Sequence, residues 1–400
     1  MTSAPPSPRS VFRQKHFRTL WLAQFVSVFG DFLALFGVIS LITFRLHGSA
    51  VEITTVIVAY MLPMAVVSPV AGVLVDRWNV KRVMIGSDLI RAVLALLLVF
   101  TQDVRQIALI FASLAVVASF FAPAQAVTLR ALVPVEDLLA ANAMLSQAFY
   151  LVRIVSPALA GALVAWLTEK ACFYLDAGSF LFSAAMISML PLARARAEGG
   201  SIKSLVSEFI EGNRFIFTHQ MLTFAFLAMV STMLVFSAFS PLVSIYIRDA
   251  LGAGSFTYGI VSAMVGVGLM VGTQLVQRAS RGRPTSHVIL GGLLGVGVGA
   301  ALLGAFRSVP SAAGGTLVIG TAVAFVIVPA QTLTQRETPH ELICRVSSTF
   351  LSLNTLAQVP GMLASGALAE LLGIRPLFVA CGAALALFAA AGWLWLRPRV

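Results

Sequence analysis

Long apolar runs alternate with short polar intervals from one end of the chain to the other. Each run reaches the roughly 20 residues that a helix needs to cross a bilayer. The pattern predicts twelve spans, at roughly 19–45, 51–75, 82–101, 105–129, 141–167, 171–192, 219–247, 256–279, 286–306, 312–334, 344–372 and 376–396. Three further segments fall outside the spans: residues 1–18, 193–218 and 397–400. In the middle one, Leu205, Val206, Phe209 and Ile210 recur at helical spacing, with Lys203, Glu208, Glu211 and Arg214 between them. That is the pattern of an amphipathic helix lying on a membrane face, read here as a tether between two halves.

Charge sharpens this picture. With the N-terminus inside and the spans alternating, inner segments hold 19 of the 27 Lys and Arg and outer segments hold 6. Cytoplasmic loops attract such an excess, so both termini are expected in the cytoplasm. Only 11% of the residues are charged and 59% are hydrophobic. The net charge of +11 could suit nucleic acid, but these cations sit in short loops between apolar runs, which points to the lipid bilayer instead. Cys172, Cys344 and Cys381 lie inside apolar runs without metal-ligand spacing and read as small core residues. The five His are scattered, and no nucleophile triad or phosphate-cradling loop is present. A membrane-embedded enzyme is therefore disfavoured, and no cofactor or metal is expected.

Two sequence features organise the chain. The first is the turn Gly72–Met84, GVLVDRWNVKRVM, between the second and third spans. Gly72 would let two helix ends approach, because it has no Cβ. Asp76, Arg77, Lys81 and Arg82 supply four charges that can form or break a latch. The second is an internal repeat. Pro123, Ala124, Gln125, Thr128 and Arg130 match Pro329, Ala330, Gln331, Thr334 and Arg336 at a constant offset, and LVDR at 74–77 matches LVQR at 275–278. Such a repeat on either side of a linker is a known plan for membrane transporters.

Together these features resemble the major facilitator superfamily. The resemblance covers nearly the whole chain. It implies an all-α membrane protein of twelve transmembrane helices in two pseudo-symmetric six-helix bundles, 19–192 and 219–396, working as a monomer. It also gives the Gly72–Arg82 pattern its role as a latch between the two halves. The runs FGDFLALFGV, SPVAGVLVDRW and SDLIRA, with the later PAQ and ANA segments, are similar to the siderophore-exporter and macrolide-efflux branch. RIVSPALAGALVAW resembles the helix-five antiporter motif of drug-efflux members. Pro157 and Gly161 stand at its expected places, while Ser156 and Ala160 replace glycines.

Coupling chemistry should sit where charge is costly. An ionisable side chain inside the bilayer faces a cavity or a partner. Asp31 is the clearest case, with Gln24 and Ser27 on the same helix face. That face is expected to line an aqueous cavity. Arg153 is as deep in the fifth span, on a face with Asn142, Ser146 and Phe149, so an Asp31–Arg153 pair is expected. It would serve either as a proton carrier or as a static lock between the helices. Asp88 and Arg91 form an i, i+3 pair expected near the cytoplasmic end of the third span, supporting the latch. Asp176 is read as a wetted carboxylate near the outer end of the sixth span or as a gate. The second half offers Asn354 and Gln358 as polar cavity groups and no mid-span charge.

The resulting expectation is a secondary transporter with alternating access, exporting a small amphipathic molecule in exchange for protons across a bacterial-type cytoplasmic membrane. A uniporter, an importer, a lipid flippase and a non-transporting scaffold or sensor remain open alternatives.

Overall fold

A computed structural model of the chain describes residues 8–75, 77–191, 213–339 and 342–396. After a short helix, Pro8–Arg13, twelve long helices follow among the described residues. They are α1 (Lys15–Ser40), α2 (Ala50–Val75), α3 (Val80–Leu98), α4 (Val104–Leu132), α5 (Leu138–Trp166) and α6 (Glu169–Ser188). The second set is α7 (Gln220–Ile245), α8 (Ser255–Ala279), α9 (Thr285–Ala305), α10 (Val309–Glu337), α11 (Ile343–Leu372) and α12 (Ile374–Leu396). Ten of them are long and apolar enough to cross a membrane, the other two being α3 and α11. The α3 helix is 19 residues long and carries Lys81, Arg82, Asp88 and Arg91. Large apolar side chains such as Leu62, Val66, Leu109, Leu371 and Leu387 lie exposed along the helices, as contact with lipid requires. The protein is an all-helical, multi-pass membrane protein.

The chain packs as two compact units, one built from Met1–Leu46 and Val56–Gly200, the other from His47–Thr55 and Ser201–Val400. In the first unit α6 packs along both α1 and α3, while α5 packs along α1 and α4 along α3. Phe17, Leu20, Ala23, Met84, Phe121, Ala124 and Ile187 form a common buried core there. In the second unit α10 packs between α8 and α9, α12 lies on α9, and α7 pairs with α11. The contact of α8 with α10 is made main chain to main chain. A Cβ on Gly320 would collide with the carbonyl of Val265 and come within 3.0 Å of Leu269 N, and one on Gly272 would strike Thr321 and Ala324. Small residues are how membrane helices gain contact where lipid is as apolar as their own side chains.

The internal repeat is also visible in backbone detail. Helix α1 runs into a single π turn, Leu41–Arg45, and α7 ends in another, Tyr246–Ala250. Prolines interrupt both members of two further repeat pairs: Pro123 in α4 with Pro329 in α10, and Pro157 in α5 with Pro360 in α11. Each proline removes one helical hydrogen bond. The His47–Thr55 segment belongs by its packing to the second unit. Arg248 Nη1 donates to Gly48 O at 3.0 Å, and a Cβ on Gly366 would meet Thr54 Oγ1, Val51 and Ala50. Residues 1–7, 192–212 and 397–400 fall outside the described residues, and with them most of the linker and of its expected amphipathic helix; residues 213–218 are helical.

Candidate functional site

Four ionisable residues of α1, α3 and α6, Asp31, Asp88, Arg91 and Asp176, lie close together in the first unit. Arg91, on the buried face of α3, donates from Nη2 to Asp88 Oδ1 at 2.5 Å. Its Nη1 stands 3.9 Å from Asp31 Oδ2 on α1. The guanidinium lies 4.5 Å from the centre of the Phe121 ring and 4.3 Å from that of Phe180, so α4 and α6 also hold it. Two aromatic faces and two carboxylates compensate the cation for its lost water. Asp176, on α6, comes in from the other side. Where a Cβ would stand on Gly30, Asp176 Oδ1 lies 2.7 Å away and Ser179 is closer still. The glycine beside Asp31 therefore lets α6 bring a second acid against α1. Asp176 is within electrostatic reach of both Asp31 and Arg91.

The site thus brings two carboxyl groups to one guanidinium and a third, Asp176, against α1 next to Asp31. Asp88 is 0% exposed and Asp176 is 1% exposed. The Asp31 side chain is 37% exposed against 6% for Arg91. Asp31 is the open door of the cluster. Asp88 Oδ2, Arg91 Nε and Ser183 Oγ are buried without a hydrogen-bond partner among the described residues. Such groups are costly unless water or a moving charge meets them. Among the described residues no group of His, Cys, Asp and Glu could hold a metal ion.

Several expectations need correction. Asp31 meets Arg91, not Arg153; Arg153 stands on α5 with an exposed side chain. The reason is packing: α6 lies against both α1 and α3 and draws Arg91 to Asp31. Gln24 and Ser27 do share the Asp31 stripe of α1, but both are buried and do not line a wet cavity. Asp88 and Arg91 form their i, i+3 pair, but in the middle of α3 and buried, away from the loops. Asp176 is a core residue, not a wetted one. Near Gly72 nothing among the described residues lies within 4 Å of where a Cβ would stand.

Around the Gly72–Met84 turn, Lys81 Nζ donates to Leu190 O at 2.8 Å, and the Asn79 side chain caps α3 by accepting from Arg82 N at 3.1 Å. Arg77 and Arg82 are exposed there, and Asp76 lies outside the described residues. On α5, Ser156 and Ala160 are buried with Gly161, and Pro157 sits within the helix, as a small-residue face packed on α1 would have it. Asn142, Ser146 and Phe149 line a cavity of about 270 Å³ together with Gln125 and Leu145. Phe149 meets Phe32 edge to face at 5.6 Å, which joins that cavity to the neighbour of Asp31. In the second unit Ser237 Oγ donates to the backbone oxygen of Gln358 at 3.0 Å, tying α7 to α11. The side chain of Asn354 lies outside the described residues. The partners of Arg91 on α4 and α6, Phe121 and Phe180, had no signal in the sequence beyond being apolar.

Comparison with known proteins agrees with this architecture. Residues 20–361 match the Major Facilitator Superfamily model. The chain is 30% identical over 389 residues to the MFS-type transporter YfiS of Bacillus subtilis, covering 94% of this chain and 92% of that one. It is 28% identical over 354 residues to the multidrug efflux pump Tap of Mycolicibacterium fortuitum, covering 84% of each. The fold superposes on the crystal structure of the nucleoside transporter NupG with a TM-score of 0.75 at 12% identity, over 96% of this chain and all of that one. The family model spans most of the sequence, and the helices it describes are those that build the acid cluster: the chain belongs to the Major Facilitator Superfamily of secondary transporters, and is not an enzyme.

Proposed function

We propose that the protein is a proton-coupled exporter of small amphipathic molecules in a bacterial-type cytoplasmic membrane. Both termini lie in the cytoplasm, and the bundles 19–192 and 219–396 alternate access to a shared path. The observation that carries this reading is that Asp31, partly exposed, shares Arg91 with the buried Asp88, with buried Asp176 packed against α1 at Gly30.

A charge at Asp31 and a charge at Asp88 compete for one guanidinium. With Asp31 ionised, Arg91 is shared between α1 and α3. When Asp31 binds a proton its attraction for Arg91 vanishes, and Arg91 belongs to Asp88 alone. Attraction between unit charges at this separation is worth about 4 kcal/mol at an effective dielectric near 20. Proton binding at an accessible carboxyl would therefore change how α1 is held to α3 and α6. Asp31 is the proton carrier, and Arg91, Asp88 and Asp176 set its environment. The small cavity lined by Gln125, Asn142 and Ser146, with Phe149 at its edge, offers a polar–aromatic surface for an amphipathic solute. Likeness to the efflux pump Tap supports export over uptake.

The test is Asp31→Asn in proteoliposomes. The variant is expected to keep substrate counterflow, which needs no gradient, and to lose accumulation driven by an imposed pH gradient. Gradient-driven accumulation at the wild-type rate would remove Asp31 from coupling and leave a uniporter with a static ion cluster.

A further inference from the structure

A second cavity of the first unit lies away from the acid cluster. It is a groove of about 810 Å³ where the Gly72–Met84 turn meets α3 and α4. We propose that this groove binds an anionic phospholipid, with its phosphate on Arg77 and Arg82 and its acyl chains along Ile90, Val116 and Val117.

The argument starts from how the lining is divided. Arg77, Asn79 and Arg82 form one end, Val83, Ile90, Val116, Val117 and Phe120 form most of the other, and Gly86 and Ser87 of α3 and Trp78 complete the lining. Arg82 and Ile90 are eight residues apart on α3, about 12 Å along the axis. The site is thus cationic at the loop and apolar toward the middle of the span, which is the polarity of a lipid with its headgroup at the surface. Among the described residues no carboxylate lines it. Among the described residues neither guanidinium has an acidic partner, so two positive charges face one concavity.

The apolar wall is equally unfinished. Ile90 and Val116 lie exposed on the groove, although both are large and apolar. Chains of a bound lipid would cover them. Trp78 forms the rim: its ring stacks on Phe120 at 5.9 Å with an interplanar angle of 14°, and half its surface is open. Tryptophan at the membrane–water boundary sits at headgroup level. A free phosphate would leave the apolar wall bare. A zwitterionic lipid would bring a positive group against two arginines. A diacyl phosphate ester with net negative charge satisfies both ends, and basic residues next to a membrane attract such lipids. The inference does not depend on proton coupling or on what is transported.

Trp78 provides a local reporter. The full chain is placed in phosphatidylcholine nanodiscs carrying increasing fractions of phosphatidylglycerol brominated near the headgroup, or of phosphatidylcholine brominated at the same position. The part of tryptophan quenching that disappears in Trp78→Phe is the signal. Half-maximal quenching is expected at a mole fraction about thirtyfold lower for the brominated phosphatidylglycerol, the effect of two cationic contacts. Arg77→Gln combined with Arg82→Gln should bring the two lipids to the same half-point. Glycerol 3-phosphate at millimolar concentration should leave the signal unchanged. Equal half-points for the two lipids on the unmodified chain would overturn the proposal, whatever the folding of the variant. So would displacement by glycerol 3-phosphate, which would make this a soluble-phosphate site, or a preference that survives loss of both arginines.

Discussion

Arg91→Met removes the charge that the acid cluster is built on while keeping a long, flexible side chain. In the native site Arg91 is bound to Asp88 at 2.5 Å, faces Asp31 at 3.9 Å and lies over two aromatic rings. Asp88 has no access to water of its own. Removing one member of a buried pair costs about 3–5 kcal/mol, because the other charge is left uncompensated. The cation–π contacts add about 1–2 kcal/mol when desolvated, and methionine sulfur against the same rings returns about 0.3–1.5 kcal/mol. The net expected loss is therefore about 3–5 kcal/mol. Asp88→Leu should cost a similar amount, since it takes away the hydrogen-bonded partner of Arg91 and leaves it Asp31 at 3.9 Å, with Asp176 near. The double variant removes both charges and should cost less than the two single changes added together, by about 2 kcal/mol or more. Equilibrium unfolding in mixed micelles at rising dodecyl sulfate, followed by circular dichroism, measures all three. Single losses below about 1 kcal/mol, or strict additivity in the double variant, would refute the account of Arg91 as the centre of a buried network.

The remaining expectations concern packing in the second unit. Gly320→Ala should destabilise by about 1–3 kcal/mol, because its Cβ would run into the backbone of α8, whereas Gly314→Ala, with nothing within 4 Å, should be neutral or gain up to about 1 kcal/mol; equal effects in the same unfolding assay would contradict the close α8–α10 contact. Tyr246→Phe should cost about 1–2 kcal/mol, since its buried hydroxyl donates to Phe306 O at 2.7 Å and nothing else is altered; an unchanged unfolding midpoint would mean that water replaces it.

The helical class and the repeat were readable because both rest on long-range regularities: apolar runs of bilayer length, and a five-residue match between Pro123–Arg130 and Pro329–Arg336. The cluster was readable only in part. The cost of burying a charge picks out Asp31 from the sequence without reference to neighbours, but it singles out Arg153 as the partner and leaves Arg91 near the loops. It does not say which helix lies next to which. The pairing of Asp31 with Arg91 follows from α6 packing against both α1 and α3, a tertiary fact with no local signature. Asp176 was misplaced for a related reason. Its position two turns inside α6 suggests access to water, but Gly30 leaves a gap across the interface that draws it inward. Gln24 and Ser27 show the same limit: helical periodicity places them on one stripe with Asp31, and cannot tell whether that stripe faces water or another helix.

The glycine contacts of α8 and α10 have a bearing on movement. Two rods whose main chains touch have no layer of side chains on which to slip, so one cannot slide past the other without first lifting away. They must travel as one stiff plank. Whatever bending the second unit performs has to be looked for at its prolines, Pro241 in α7, Pro360 in α11 and Pro329 in α10 past these glycine contacts.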